Sequence, residues 1–150
     1  MNTGKTTQAD SLTELLELAS RSMHSLGYAQ GLYPAQWTAL RYFAKAEDGK
    51  RTASELARFQ GMATGPVSRT VRTLIGKKLI AKAKSQPTGR AEHLEVTRSG
   101  HSLLERDPIK GVTDAVDMLS PSERAALASA LEKVIGVASS VWPSQHRHKD

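Results

Sequence analysis

Two arginines, a serine and a glycine stand between Thr64 and Lys77 at spacings that a helix gathers on one side. Gly65, Ser68, Arg69 and Arg72 follow i, i+3, i+4 and i+7. Val67, Val71 and Leu74 follow i, i+4 and i+7 on nearly the opposite side. The polar side carries what a helix in a DNA major groove needs. Arginine can bond O6 and N7 of guanine bidentately, and serine can donate to or accept from either base edge. Gly65 permits close backbone approach, and amides left open at the helix start, around Thr64, can hold a phosphate. Pro66 is tolerated in that first turn. A solvated surface helix would show the same residues, so its neighbours decide between the two readings. A capped helix precedes it and a basic hairpin follows, which favours DNA contact.

The second group is Lys82, Lys84 and Arg90. The lysines fall on one side of a strand-like run, and Arg90 lies in the turn after it. A narrow basic loop can enter a minor groove, whose negative potential attracts arginine. Lysines on an edge strand also guard against aggregation, and both roles can hold at once. The two groups belong to one charge block. Residues 50–90 hold ten of the chain's 21 Lys and Arg against a single carboxylate, Glu55, a net charge of +9. The remainder of the chain is mildly acidic, so the overall +6 comes entirely from this window. A one-sided block of this kind is the footprint of a polyanion partner.

These residues have to be positioned by the elements around them. Leu12, Leu15, Leu16, Ala19, Met23 and Leu26 share one helical face. Pro34 suits the first turn of a second helix, with Trp37, Leu40 and Ala44 as its stripe. Thr52 to Glu55 fits a capping box, in which the Thr52 hydroxyl accepts from the Glu55 amide and the Glu55 carboxylate reaches back. Gly61 ends that short helix, and the helix from Thr64 to about Lys77 follows at once, a helix-turn-helix pattern. Residues 79–85 and 92–97 alternate as two strands of a hairpin around the turn-rich 86–91. Asp107-Pro108 breaks the next helix. Ser120-Pro121-Ser122-Glu123 is a second capping box, and Leu127, Leu131, Val134, Ile135 and Ala138 mark a long amphipathic helix.

Length and composition narrow the function classes. At 150 residues, with 39% apolar and 24% charged residues, the chain reads as one soluble domain. It has no cysteine, which excludes a disulfide framework, thiolate metal sites and cysteine redox sensing. The five histidines, at 24, 93, 101, 146 and 148, lack a ligand spacing, so no metal and no cofactor are expected. No nucleophile elbow, phosphate-binding loop or dinucleotide fingerprint appears, and no catalytic residue is assigned. No apolar run is long enough for a membrane span, and Met1 to Asp10 lacks a secretion-signal core, so the expected location is the cytoplasm.

In this order of elements the chain resembles the MarR family of winged helix-turn-helix transcriptional regulators. The residues that carry the likeness are Thr52-Ala53-Ser54-Glu55-Leu56-Ala57, Val67-Ser68-Arg69, Leu74 through Leu79-Ile80, Arg90 at the wing, and Val96-Thr97-Arg98-Ser99-Gly100 after it. Pro34 to Leu40 is similar to the family's second helix. Two positions depart from the pattern: Thr88 stands where the family has a wing-holding Asp, and Lys78 stands where it has Gly before Leu-Ile.

The resemblance implies a mainly α fold with a small antiparallel hairpin. A single domain is expected over residues 11–142, with a winged lobe at 34–97, dimerisation helices at 11–30 and 98–142, and flexible tails at 1–10 and 143–150. It implies a homodimer on double-stranded, pseudo-palindromic operator DNA, acting as a repressor in transcription regulation. The long stripes at 12–26 and 112–138 support a dimer independently, since a basic lobe cannot cover both. The resemblance further implies a small aromatic or anionic effector, with His24, Tyr28, Tyr33, Trp37 and Tyr42 as candidate lining residues; packing in a core or interface is the ordinary alternative for each. The competing function is a winged-helix protein-interaction module that reads no specific DNA.

Overall fold

Most helices of the chain have a local reason to start where they do. In the computed structural model, residues 6–146 other than Thr88 are described, with side-chain surroundings for residues 8–140. Their order is α1 (Thr6–Leu26), α2 (Pro34–Lys45), α3 (Ala53–Gln60), α4 (Thr64–Gly76), β1 (Ile80–Lys82), β2 (Leu94–Val96), α5 (Arg98–Leu104), α6 (Lys110–Asp117) and α7 (Pro121–His146). The fold is mainly helical with one two-stranded antiparallel hairpin, as expected.

α2 begins with Pro34, and the Gln36 side chain accepts from the Tyr33 amide at 3.0 Å. At α3 the Thr52 hydroxyl accepts from the Glu55 amide at 3.1 Å. The return half of that capping box is replaced, because the Glu55 carboxylate turns to Arg58 at 2.8 Å. Gly61 closes α3 at φ 62°, the left-handed region where glycine carries no Cβ penalty. The box at Ser120 is reciprocal: Ser120 N donates to Glu123 Oε2 at 2.8 Å, and Glu123 N donates to Ser120 Oγ at 3.2 Å.

The core gathers under α4 and the hairpin. Trp37, Leu40, Phe43, Leu56, Leu74 and Ile80 are its largest fully buried side chains. Strand register pairs Ile80 with Val96, Ala81 with Glu95 and Lys82 with Leu94. Both strands are shorter than their alternation suggests, and Gln86 gives the reason. Its amide donates to the carbonyls of Ala83 and His93 at 2.9 and 2.8 Å and accepts from the His93 amide at 2.9 Å. One ladder bond continues past β1, from Ala83 N to His93 O at 2.9 Å, and the Gln86 amide takes the place of its return bond. The hairpin's other edge is held by Leu94 N, which donates to Arg51 O at 2.9 Å.

Lys78, where the resemblance implies glycine, adopts φ 61°. Gly100 is required for another reason: a Cβ there would collide with the Leu79 carbonyl and the Val96 side chain.

The chain divides into two compact units, residues 1–109 and 110–150. The break follows Asp107-Pro108, and α6 buries none of its residues. The N-terminal expectation shifts, since α1 starts at Thr6 inside the stretch 1–10 read as a tail. Similarly α7 continues to His146, within 143–150. Thr88, the residue in place of the wing Asp, lies outside the described residues, as does Arg147-His148. Among the described residues no helix is long and apolar enough to cross a membrane.

Candidate nucleic-acid interface

α4 is seated by its apolar stripe. Val67, Val71 and Leu74 are 2%, 6% and 0% exposed, so the opposite face must point outward. Thr64, Gly65, Pro66, Arg69 and Arg72 are exposed, and Ser68 is half-buried. The Thr70 and Thr73 hydroxyls are turned back onto Pro66 O and Arg69 O at 3.2 and 3.0 Å. The arginines are therefore the outward donors of the helix's middle turns.

The structure sorts the charge block in a way charge counting cannot. Lys50 and Arg58 reach Glu55 at 3.9 and 2.8 Å, and Arg51 reaches Asp48 at 3.4 Å. Lys82 reaches Glu92, just beyond the block, at 3.4 Å. Lys77 Nζ donates to Gly31 O at 3.3 Å. Among the described residues no carboxylate pairs with Arg69, Arg72, Lys84 or Arg90. Exposed pairs of this kind contribute little to stability, yet they lower the local field. Among the described residues, the positive charge left without a carboxylate lies on α4, at Lys77 and Lys78 just after it, and in the wing loop.

Between α4 and the wing runs a cleft of about 310 Å³. Ser54 lines it from the start of α3, Ser68 and Arg72 from α4, and Arg90 and Glu92 from the wing loop. This cleft was not legible in the sequence, because it joins residues 54, 72 and 90 that only the fold brings together.

The five residues considered for an effector do not line one cavity. His24, Tyr28 and Tyr33 stack edge to face, with centroids 5.7 Å apart in each step. Tyr28 and Tyr33 are 61% and 63% exposed. Trp37 is a core residue whose Nε1 donates to Ala29 O at 3.2 Å. Tyr42 sits elsewhere, tilted 5.1 Å from Phe59, and its hydroxyl donates to Lys50 O at 2.8 Å. Burial raises the Tyr42 phenol pKa, and the Glu55 carboxylate adds to that shift. Trp37 and Tyr42 lie about 140° apart around α2, and Tyr28 and Tyr33 lie in the turn between α1 and α2. Tyr42 instead helps line a cavity of about 390 Å³ with Thr38, Arg41, Lys45 and Phe59. Among the described residues no three His, Asp or Glu side chains are grouped as a metal site requires.

The Arg41–Asp107 pair was not legible in the sequence. Arg41 Nε and Nη2 bond the two Asp107 oxygens at 2.5 and 2.7 Å, and the Asp107 side chain is 6% exposed. Asp107 Oδ1 also accepts from Ile109 N at 2.9 Å. The pair fastens α2 to the segment after α5.

Comparison with known proteins places this arrangement. S. aureus MepR in a DNA-binding conformation has a similar structure, with a TM-score of 0.71 at 21% identity over 85% of this chain and 98% of that one. The S. aureus MepR–DNA complex gives 0.66 at 22% identity over 83% and 96%. A MarR/EmrR family transcriptional regulator from Acinetobacter sp. ADP1 gives 0.67 at 18% identity over 89% and 98%. At these identities the likeness establishes the fold. Among curated proteins no sequence matches. The MarR family model matches residues 30–91, which contain α2, α3, α4, β1 and the wing turn. Through that winged helix-turn-helix lobe the chain is similar to the MarR family.

Proposed function

We propose that the chain is a sequence-specific, double-stranded DNA-binding transcription regulator that works without catalysis, as a homodimeric repressor on a pseudo-palindromic operator. The observation that carries this reading is the sorting of the charge block. Among the described residues, its cations without a carboxylate partner are Arg69 and Arg72 on α4, Lys77 and Lys78 in the turn after it, and Lys84 and Arg90 in the wing loop, while those flanking α3 are paired internally. Gly65 and Arg69 suit a major groove, and a basic wing loop suits the negative potential of a minor groove. That a protein of the same fold has been solved as a DNA complex supports the same reading.

Apolar surface supports the dimer. α1 leaves Leu12, Leu15 and Leu18 at 60%, 57% and 52% exposure. In α7, Val134 and Ile135 stand at 43% and 59%. Stripes this open are covered most economically by a second copy. In this proposal residues 11–142 act as one dimerising domain, and the two lobes meet half-sites about one helical turn apart. The cavity beside Tyr42 offers aromatic walls with Arg41 and Lys45 at hand, suited to a small aromatic acid that would release the operator.

Site selection from random duplexes, repeated with added aromatic acids, tests this. The expected result is enrichment of inverted half-sites. Protein that enriches no sequence supports the protein-interaction module instead. Sedimentation at micromolar concentration should give a dimer, and a folded monomer there sinks the dimer proposal.

A further inference from the structure

The two arginines of α4 do not point the same way. At about 100° per residue, Arg69 lies about 200° around the helix from Val67, directly opposite the buried stripe. Arg72 lies at about 140°, turned toward the side where Ser68 and Ile75 fall, at about 100° and 80°. Those two residues line the cleft against the wing, and so does Arg72; Arg69 does not. From the wing loop the same cleft receives Arg90. Neither arginine has a carboxylate partner among the described residues, and Glu92 on the rim is engaged by Lys82 at 3.4 Å. Ser54 and Ser68 add hydroxyls that bond no other described residue.

We infer that this cleft is the seat of a DNA backbone phosphate, and that the arginines divide the work: Arg69 reads base edges, while Arg72 and Arg90 grip the strand from two sides. This rests on the DNA-binding reading above. A duplex that receives α4 in its major groove and the wing in the adjoining minor groove threads the strand between those grooves through the space separating helix from wing. That space is the cleft. A guanidinium turned into it meets phosphate oxygens before it meets a base edge, and two guanidiniums on opposite walls suit a phosphate's several acceptors. Arg69, on the crown beside Gly65, has no such strand in its way. The expectation that both arginines read guanine is thereby narrowed to one.

The test compares selected and random duplexes over a range of salt. Arg72→Ala should weaken binding by the same factor on both and lower the salt slope by about 0.9. Arg72→Lys should restore most of that loss, since a phosphate accepts a point charge. Arg69→Ala should weaken the selected site by about five- to 150-fold and relax one base position, and Arg69→Lys should not recover that preference. Arg72→Ala that relaxes a base position at an unchanged salt slope overturns the division. So does Arg72→Lys behaving as badly as Arg72→Ala. Wild-type protein that shows no preference among duplexes overturns the DNA-binding reading itself, and the division with it.

Discussion

Lys78 adopts φ 61°, a conformation that a Cβ disfavours and glycine accepts. The position follows α4, and its carbonyl accepts from Thr97 Oγ1 at 2.7 Å, so the turn is held by the fold around it. Lys78→Gly should therefore stabilise the protein by about 1 kcal/mol, read as a rise of about 3 °C in melting temperature. A lower melting temperature would mean that the lysine side chain contributes more than the strain removes. The charge block carries the same lesson. Its composition predicts a polyanion partner, and the residue types in it are identical whether paired or not. Glu92 and Asp48 lie in the sequence for anyone to count, but their engagement of Lys82 and Arg51 depends on hairpin and turn geometry. A charge count therefore finds the surface, and distances find the cations on it that are left to bind.

At the scale of elements, short-range chemistry was the most legible. Thr52, Gly61, Pro34 and Ser120 each act within three or four residues of themselves, and each starts or ends the helix expected of it. Gln86 was not legible, because its partners Ala83 and His93 belong to opposite strands of a hairpin. The α7 cap yields a pH prediction. Hydrogen bonds from the Ser120 amide and then the Ser120 hydroxyl hold the Glu123 carboxyl below its ordinary pKa. A carboxyl whose folded-state pKa is depressed contributes fully above its unfolded value, and the contribution is lost as pH falls through the folded one. The start of α7 should thus stay capped through neutral and mildly acidic pH and fray below the ordinary carboxylate range. NMR titration of the Glu123 carboxyl and the Ser120 amide checks this; a Glu123 midpoint at or above the ordinary value would contradict it.

Across the whole molecule, the Arg41–Asp107 pair joins positions 66 residues apart and closes the first compact unit near its end. Removing one partner of a buried pair strands the other. Asp107→Ala should cost about 3 kcal/mol, the low end for such pairs, because the Arg41 side chain keeps 23% of its surface in water. A chemical-denaturation midpoint within error of wild type would refute that.

The sequence by itself determined the starts of α2, α3, α4 and α7, the helix-turn-helix pattern, the hairpin, the polar face of α4 and the basic block, since each depends on neighbours within a turn or a strand. Only the tertiary structure decided which cations have partners, that Arg72 leans into a cleft with Arg90 while Arg69 stands clear, and that the candidate effector aromatics scatter between surface, core and a separate cavity. Those outcomes depend on which side of each element faces another, and that is set by packing between residues far apart in the chain.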